Sequence, residues 1–397
     1  MNWRPPVPSQ VTDTSGTTWL VRRAWPGPVA GEYVLEVRDA AGSGVLAAHL
    51  RQGNFEPVPS NDPMMPSLAQ EAPRGTILVH RAHKRAVIHA GGQYIKVFRP
   101  GRALDAAIRH TLATIPAGDG PFLTPRILAA DPDVIVFSSL PGRSYYELGH
   151  DHTTVTDESF SHTWTQWSRA WASTVSSTSS AGLRAGLDHL PEHPPEAEAV
   201  NLRRWINHWL RHSEGIPEAA TGRAALLEQA QIALTRLTET PTDPLGWAHG
   251  DLHDKQILGA GPAAAPGLLD FDETCLAEAA LDLANLDVHL ELRLRQHLLT
   301  TRRYVIAHRS ILATAQKLHV SPDRFAAYAA CTRLRLACLY SFRPPWGADA
   351  SQYLNDGGNP DTTGPREGMS SSTTPRTAAR RPAAAGGRPV TGRRPRP

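Results

Sequence analysis

The stretch WAHGDLHDKQILGAGPAAAPGLLDFD, Trp247 to Asp272, holds the chain's densest set of reactive side chains: His249, Asp251, His253, Gln256, Asp270 and Asp272. Ile257 and Leu258 separate the first cluster from a Gly/Ala/Pro-rich turn, and Leu268 and Leu269 lead into the second. That pattern predicts a loop, a strand, a turn and a second strand. A hairpin of this kind would set Asp251 and Gln256 opposite Asp270 across one small volume. Carboxylates crowded together repel unless a cation or a proton lies between them. The arrangement therefore calls for a metal, and a free carboxylate beside a metal suggests catalysis. Taken alone, Asp251 would read as a turn carboxylate bonding its own backbone. Its spacing to Gln256, five residues on, and to Asp270, nineteen residues on, changes that reading.

The elements that must position these groups fall into two halves. Residues 1–70 are punctuated by Pro and Gly and lean toward strand: WLVRRAW, YVLEVRD and GVLAAHL read as paired strands, and NFEPVPSNDPMMP as a loop. TILVH (76–80), RAVIHA (85–90) and QYIKVF (93–98) predict three more, the last two joined at Gly91-Gly92. ALDAAIRHTLA predicts a helix, and PRILAADPDVIVFSSLPG two strands around an Asp-Pro-Asp turn. From about residue 157 the pattern turns helical. Trp164, Trp167 and Trp171 share one helix face, which reads as core. STVSSTSSAG through PEHPPEAEA (173–199) reads as a mobile connection, with helices following at 198–212 and 223–239. LAEAALDLANLDVHLELR predicts a strong helix, and Ser321-Pro322-Asp323 opens another. This order predicts an α+β, bilobal architecture with a ligand cleft between the lobes. The expected divisions are a β-rich extension or cap over 1–70, an N-lobe over 71–142, a helical C-lobe over 143–345 and a disordered basic tail over 346–397.

With 397 residues the chain is long enough for two real cores, and its 41% apolar content is that of a globular protein. The net charge of +3 hides an asymmetry: residues from Asn359 onward carry +6, which leaves −3 on the remainder. A mildly acidic body is not the footprint of a nucleic-acid-binding domain, so no nucleic-acid partner is expected. Cys275, Cys331 and Cys338 have no metal spacing and suit a reducing compartment. The N-terminus has no apolar signal region and no run approaches a membrane span, so the expected location is the cytoplasm, with no membrane partner.

HGDLHDKQIL and LLDFDETCLAEAALDLANL resemble the aminoglycoside phosphotransferase and choline kinase family of protein-kinase-like enzymes. The likeness is strongest over 244–290 and extends over roughly 76–345. It implies a kinase that transfers the γ-phosphate of ATP (or GTP) to a hydroxyl of a small sugar, aminoglycoside or amino alcohol. Asp251 would be the catalytic base. Asp270 and Gln256 would hold Mg²⁺. Lys96 would hold the nucleotide phosphates, and Ser139 and Leu140 in the segment between the lobes would meet the purine. Asp282 would brace the catalytic loop. Departures from the family pattern are the glutamine at 256 in place of asparagine, the absent glycine-rich loop and the tail. In addition, the helix after Lys96 carries no glutamate, only Asp105. The glutamine and the added N-terminal sequence are similar to the maltokinase branch. Two alternatives compete: a metal-dependent hydrolase built on His249, Asp251 and His253, and a catalytically weak nucleotide-binding pseudokinase.

Overall fold

The computed structural model describes residues 7–39, 44–116, 120–178, 187–261, 263–344 and 346. The expected basic tail lies outside these residues apart from Trp346, as does the middle of the expected mobile connection.

The first strands form an antiparallel five-stranded meander in chain order: β1 (Gln10–Thr12), β2 (Thr18–Pro26), β3 (Tyr33–Asp39), β4 (Val45–Arg51) and β5 (Asn54–Val58). Alternating Tyr33, Leu35 and Val37 turn inward with Val21 and Ala24 to form a small core closed by Phe342. NFEPV, expected to open a loop, instead pairs with β4 as β5. After the short α1 (Ser67–Glu71), a second five-stranded sheet forms from β6 (Thr76–Arg81), β7 (Arg85–Ala90), β8 (Gln93–Phe98), β9 (Ile127–Ala130) and β10 (Val134–Ser138). Its strand order is β6-β7-β8-β10-β9, and α2 (Ala103–Thr114) crosses between β8 and β9. Gly91 and Gly92, at φ +55° and +79°, supply the left-handed turn between β7 and β8.

The helical lobe comprises α3 (Tyr145–His150), α4 (Asp157–Ser177), α5 (Pro195–His212), α6 (Ala220–Glu239), α7 (Ala279–Arg295), α8 (Thr301–Lys317) and α9 (Pro322–Tyr340). The expected connection over 173–199 is shorter than its composition suggested, since α4 runs on through Ser177 and α5 starts at Pro195. Thr174 in that stretch is wholly buried, so tertiary packing overrides the weak helix propensity of Ser and Thr. α7 is buried on every face from Ala280 to Arg293 and forms the lobe's axis. The tryptophan stripe of α4 is core: Trp164, Trp167 and Trp171 are at most 1% exposed, and Trp171 packs against Trp247. All three cysteines are free and buried. Among the described residues, no helix is long and apolar enough to cross a membrane.

The first sheet is fastened to both lobes. On the N-lobe side, the Ala47 N–H donates to His80 Nδ1 (3.2 Å) and the His80 N–H to Glu36 Oε2 (3.3 Å). On the C-lobe side, the Ala24 N–H donates to the Phe342 carbonyl (2.9 Å), and the His212 ring bonds Gly31 N–H and Gly27 carbonyl.

Candidate active site

A four-residue strand, β12 (Leu245–Ala248), delivers the chain into the His-Gly-Asp loop and pairs with β15 (Cys275–Glu278). The expected helix ends at 239, and LGWA after it is too short and too glycine-marked to announce a strand. The loop is then fixed from below. Asp282, on the first turn of α7 and 1% exposed, accepts from His249 N–H (2.6 Å) and Gly250 N–H (3.0 Å). Burial pushes the Asp282 carboxyl up, and those two backbone donors draw it back. Asn285, one turn on, donates to the Leu252 carbonyl (2.9 Å).

His249 is spent on backbone at both ring nitrogens. Nδ1 accepts from the Asp251 N–H (3.4 Å), and Nε2 donates to the Leu269 carbonyl (2.8 Å). That second bond ties the loop to the strand end before Asp270. His253 Nδ1 accepts from Lys255 N–H, and its Nε2 stands 3.9 Å from Asp251 Oδ2. Burial holds the His253 imidazole down at about 3, so it is neutral. Among the described residues, no group of three His, Cys, Asp or Glu side chains is arranged to hold a metal ion.

β13 (Ile257–Gly259) and β14 (Gly267–Leu268) form the expected hairpin, with Ile257 opposite Leu268. It brings Gln256 and Asp270 together, and the Gln256 amide Nε2 donates to Asp270 Oδ2 at 3.4 Å. Asp270 itself sits in the left-handed region, at φ 62° and ψ 64°. A non-glycine residue held there is strained by about 1–3 kcal/mol, which the surrounding bonds must offset. Lys96, on β8, supplies the strongest of them: Nζ lies 2.6 Å from Asp270 Oδ1 and 3.0 Å from Asp272 Oδ1. Burial opposes the Lys96 charge, but the two carboxylates outweigh it and hold the ammonium protonated. Burial likewise opposes the Asp270 charge, and Lys96 and Arg85 hold its carboxyl well below the usual range.

Asp272 pairs with Lys96 and with Arg85 of β7 (2.9 Å), and its carbonyl accepts from Arg109 of α2 (2.9 Å). Asp105, the only acid in α2 that could have met Lys96, is exposed and takes no part in this network. The helix therefore reaches the site through an arginine and a backbone oxygen.

Asp251 stands apart from these cations. Its side chain is 45% exposed. Cleft walls nevertheless displace much of the bulk water around it, and that desolvation pushes its pKa up to about 6 against the pull of Arg335 and His249. The loop backbone beside it is glycine by necessity: Gly250 has φ +81°, and a Cβ there would lie 2.0 Å from the Glu273 carbonyl.

Two cavities meet this region, and they share no lining residue. The first, about 390 Å³, runs from Lys96, Gln256 and Asp270 to Phe137, Ser138 and Leu140 between the lobes. Tyr94, Val87 and Leu258 give it apolar walls. The Ser139 N–H, in the same segment, donates to the Gly92 carbonyl (3.2 Å). The second cavity, about 780 Å³, opens beside Gly250, Asp251 and Glu273.

A β-sheet lobe carrying a buried lysine, set over a helical lobe carrying a His-Gly-Asp loop and an aspartate-tipped hairpin, defines a kinase-like fold. The family model described as APH, phosphotransferase enzyme family, matches residues 82–303, and the chain belongs to that family of enzymes. The β1–β5 sheet lies outside the matched residues. No curated protein matches the chain. Among solved structures, the chain is similar to a glucosamine kinase (17% identity, 85% of this chain and 94% of that one, TM-score 0.49). It is also similar to an aminoglycoside phosphotransferase from Streptomyces rimosus (15%, 67% and 95%, 0.43). A third similar structure is a choline kinase from Cryptosporidium parvum (10%, 75% and 92%, 0.47).

Proposed function

We propose that this phosphotransferase moves the γ-phosphate of ATP (or GTP) to a hydroxyl of a small, sugar-like or amino-alcohol acceptor. The observation that carries the reading is the convergence of Lys96, Gln256 and Asp270 at one end of the 390 Å³ cavity, with Asp251 at the mouth of the neighbouring one. The purine would lie against Phe137 and the 138–140 segment, with Ser139 and Leu140 offering backbone groups. Lys96 would take phosphate oxygens in place of its present carboxylate partners.

The donor set at the phosphate end fits Mg²⁺. It offers one carboxylate and one amide, hard oxygen ligands of the kind that this ion takes alongside water and phosphate. When bound there by Asp270 and Gln256, Mg²⁺ would neutralise charge on the phosphates. The remaining work is positioning. The acceptor oxygen forms a bond to γ-phosphorus as the bond to the bridging β–γ oxygen breaks. The electron pair leaves with the nucleoside diphosphate, and Asp251 takes the hydroxyl proton.

On the same reading, residues 1–70 form a cap, 71–142 the N-lobe, 143–345 the helical lobe and 346–397 a tail. The hydrolase alternative is less well supported, because His249 has no ring nitrogen free for a metal. Asp251→Ala tests the assignment. Nucleotide affinity stays within about threefold while turnover on an acceptor falls about 10²-fold or more, with an unchanged circular dichroism spectrum. Wild-type turnover in that variant would remove Asp251 from the role of base.

A further inference from the structure

The 780 Å³ cavity beside Asp251 is built by four separate parts of the chain. The end of β2 contributes Trp25, the β6–β7 turn Arg81 and Lys84, α5 Arg204, and the end of α9 Arg335 with Arg343 just beyond it. Its charge is lopsided. Glu198 is already shared between Arg335 (3.4 Å) and His193 (3.5 Å). Among the described residues, no carboxylate lies within 4.0 Å of Arg81, Lys84, Arg204 or Arg343. Among the described residues, three acids line the cavity, and with Glu198 taken by Arg335 and His193, Asp251 and Glu273 are left to face those four cations. Folding has nonetheless brought the cations together: the Arg81 guanidinium is held 4.8 Å over the Trp25 ring. Like charges crowded into a partly desolvated wall cost free energy unless something of opposite sign joins them. The strain is visible in Arg81, whose pKa is lowered to about 10 by burial and by Arg85, Arg204 and Arg343. Lys84 is lowered chiefly by Arg81.

We propose that the acceptor of this enzyme is an anionic polyol: a hydroxylated molecule carrying a phosphate ester or a carboxylate, whose negative group is held by Arg81 and Arg343, with Lys84 and Arg204 at the rim. This rests on the reading of Asp251 as the base that faces the acceptor hydroxyl. An amino sugar or aminoglycoside would instead bring a cation into a wall that already repels cations. Arg81 and its Trp25 platform make the β1–β5 sheet and the first hairpin parts of the acceptor site. The family match, which begins at residue 82, takes in neither Trp25 nor Arg81.

Isothermal titration of the full-length protein, saturated with Mg²⁺ and a non-hydrolysable ATP analogue, tests this with five probes: glucose 1-phosphate, glucose 6-phosphate, glucuronate, glucose and glucosamine. At least one of the three anionic sugars is expected to bind ten times more tightly than glucose, with glucosamine the weakest. The phosphate and carboxylate arms then say which anion fits. Arg81→Gln and Arg343→Gln should each weaken that binding at least tenfold and leave the ATP analogue's affinity within threefold. Lys84→Gln, at an exposed position where folding is not at stake, should weaken it by a smaller factor. The proposal is overturned if no anionic sugar outbinds glucose, if glucosamine binds best, or if the arginine variants lose the ATP analogue as much as the sugar. Release of nucleoside diphosphate with the best-bound sugar reads the other question. Tight anionic binding without any transfer would count against the kinase reading and leave the charge preference standing.

Discussion

Gly250 and Asp251 show how narrow the tolerances of the site are. At Gly250 the backbone is left-handed and the Glu273 carbonyl occupies the space a side chain would need. Gly250→Ala therefore combines dihedral strain with a clash against backbone that cannot swing aside. It is expected to cost about 3 kcal/mol or more and to lower the thermal midpoint by several degrees in a melting scan. As the proposed base, Asp251 would have to be a carboxylate to accept a proton, and its pKa is raised to about 6. The sign follows: kcat/KM for acceptor should be flat above pH 7 and fall about tenfold per unit below 6. A rate unchanged from pH 7 to 5 would show that no group of this kind is required. At this scale the sequence was most informative where residues are close in the chain. Gln256 and Asp270 lie 14 positions apart, so a single hairpin decides their geometry, whereas Asp251, expected opposite Asp270, lines the other cavity because Asp282 and Asn285 fix its loop. The partners of Asp272 were illegible for the opposite reason. Arg85 and Arg109 lie 187 and 163 residues away, and only the register of β7 and the docking of α2 bring them in.

Elements hold the catalytic loop through buried polar bonds rather than through its own propensity. Arg293 of α7 donates from Nε to Asp254 Oδ2 (2.9 Å), and both side chains are at most 5% exposed. Arg293→Leu would strand the Asp254 carboxylate in the interior, at an expected cost of about 3–5 kcal/mol in urea unfolding. The pair Asp254→Asn with Arg293→Leu should recover a good part of that, since no lone charge remains. Full loss in the pair would mean that packing by the arginine stem matters more than charge. Among the elements, long ones with clear periodicity were legible: β2, β3 and β8 lie where their patterns place them, and α7 does so from Ala279 on, the first three residues of the expected helix belonging instead to β15. Two of the elements that were missed are short strands. β5 and β12 run five and four residues and alternate too little to stand out, and they exist because a neighbouring strand completes their hydrogen bonds.

At the scale of the whole molecule, the joint between the first sheet and the N-lobe depends on a neutral histidine. His80 is 1% exposed, accepts the Ala47 N–H at Nδ1, and has its pKa lowered by burial to about 4. Between pH 4 and 6.5 the unfolded chain binds this proton and the folded one does not. Stability is therefore complete above 6.5 and falls as the solution is acidified toward 4, by on the order of 2 kcal/mol at pH 5 from this group. Thermal midpoints measured at pH 7, 6 and 5 check it, and His80→Gln should flatten the profile. The bilobal plan itself was legible from the change of pattern near residue 157. The bracing of both lobes by the opening strands was not, because it depends on His80, His212 and Phe342, whose surroundings come from distant chain.

That bracing has a bearing on traffic through the enzyme. The opening sheet grips the hairpin above and α5 and the end of α9 below, so the halves are stitched along the face where Trp25 lines the 780 Å³ cavity. Among the described residues, none of the first seventy lines the 390 Å³ cavity. On the proposed assignment of the two cavities, a widening between the halves would pivot like a book about its spine, fanning the mouth of the 390 Å³ cavity while the 780 Å³ cavity keeps its width. Each substrate would then have its own doorway.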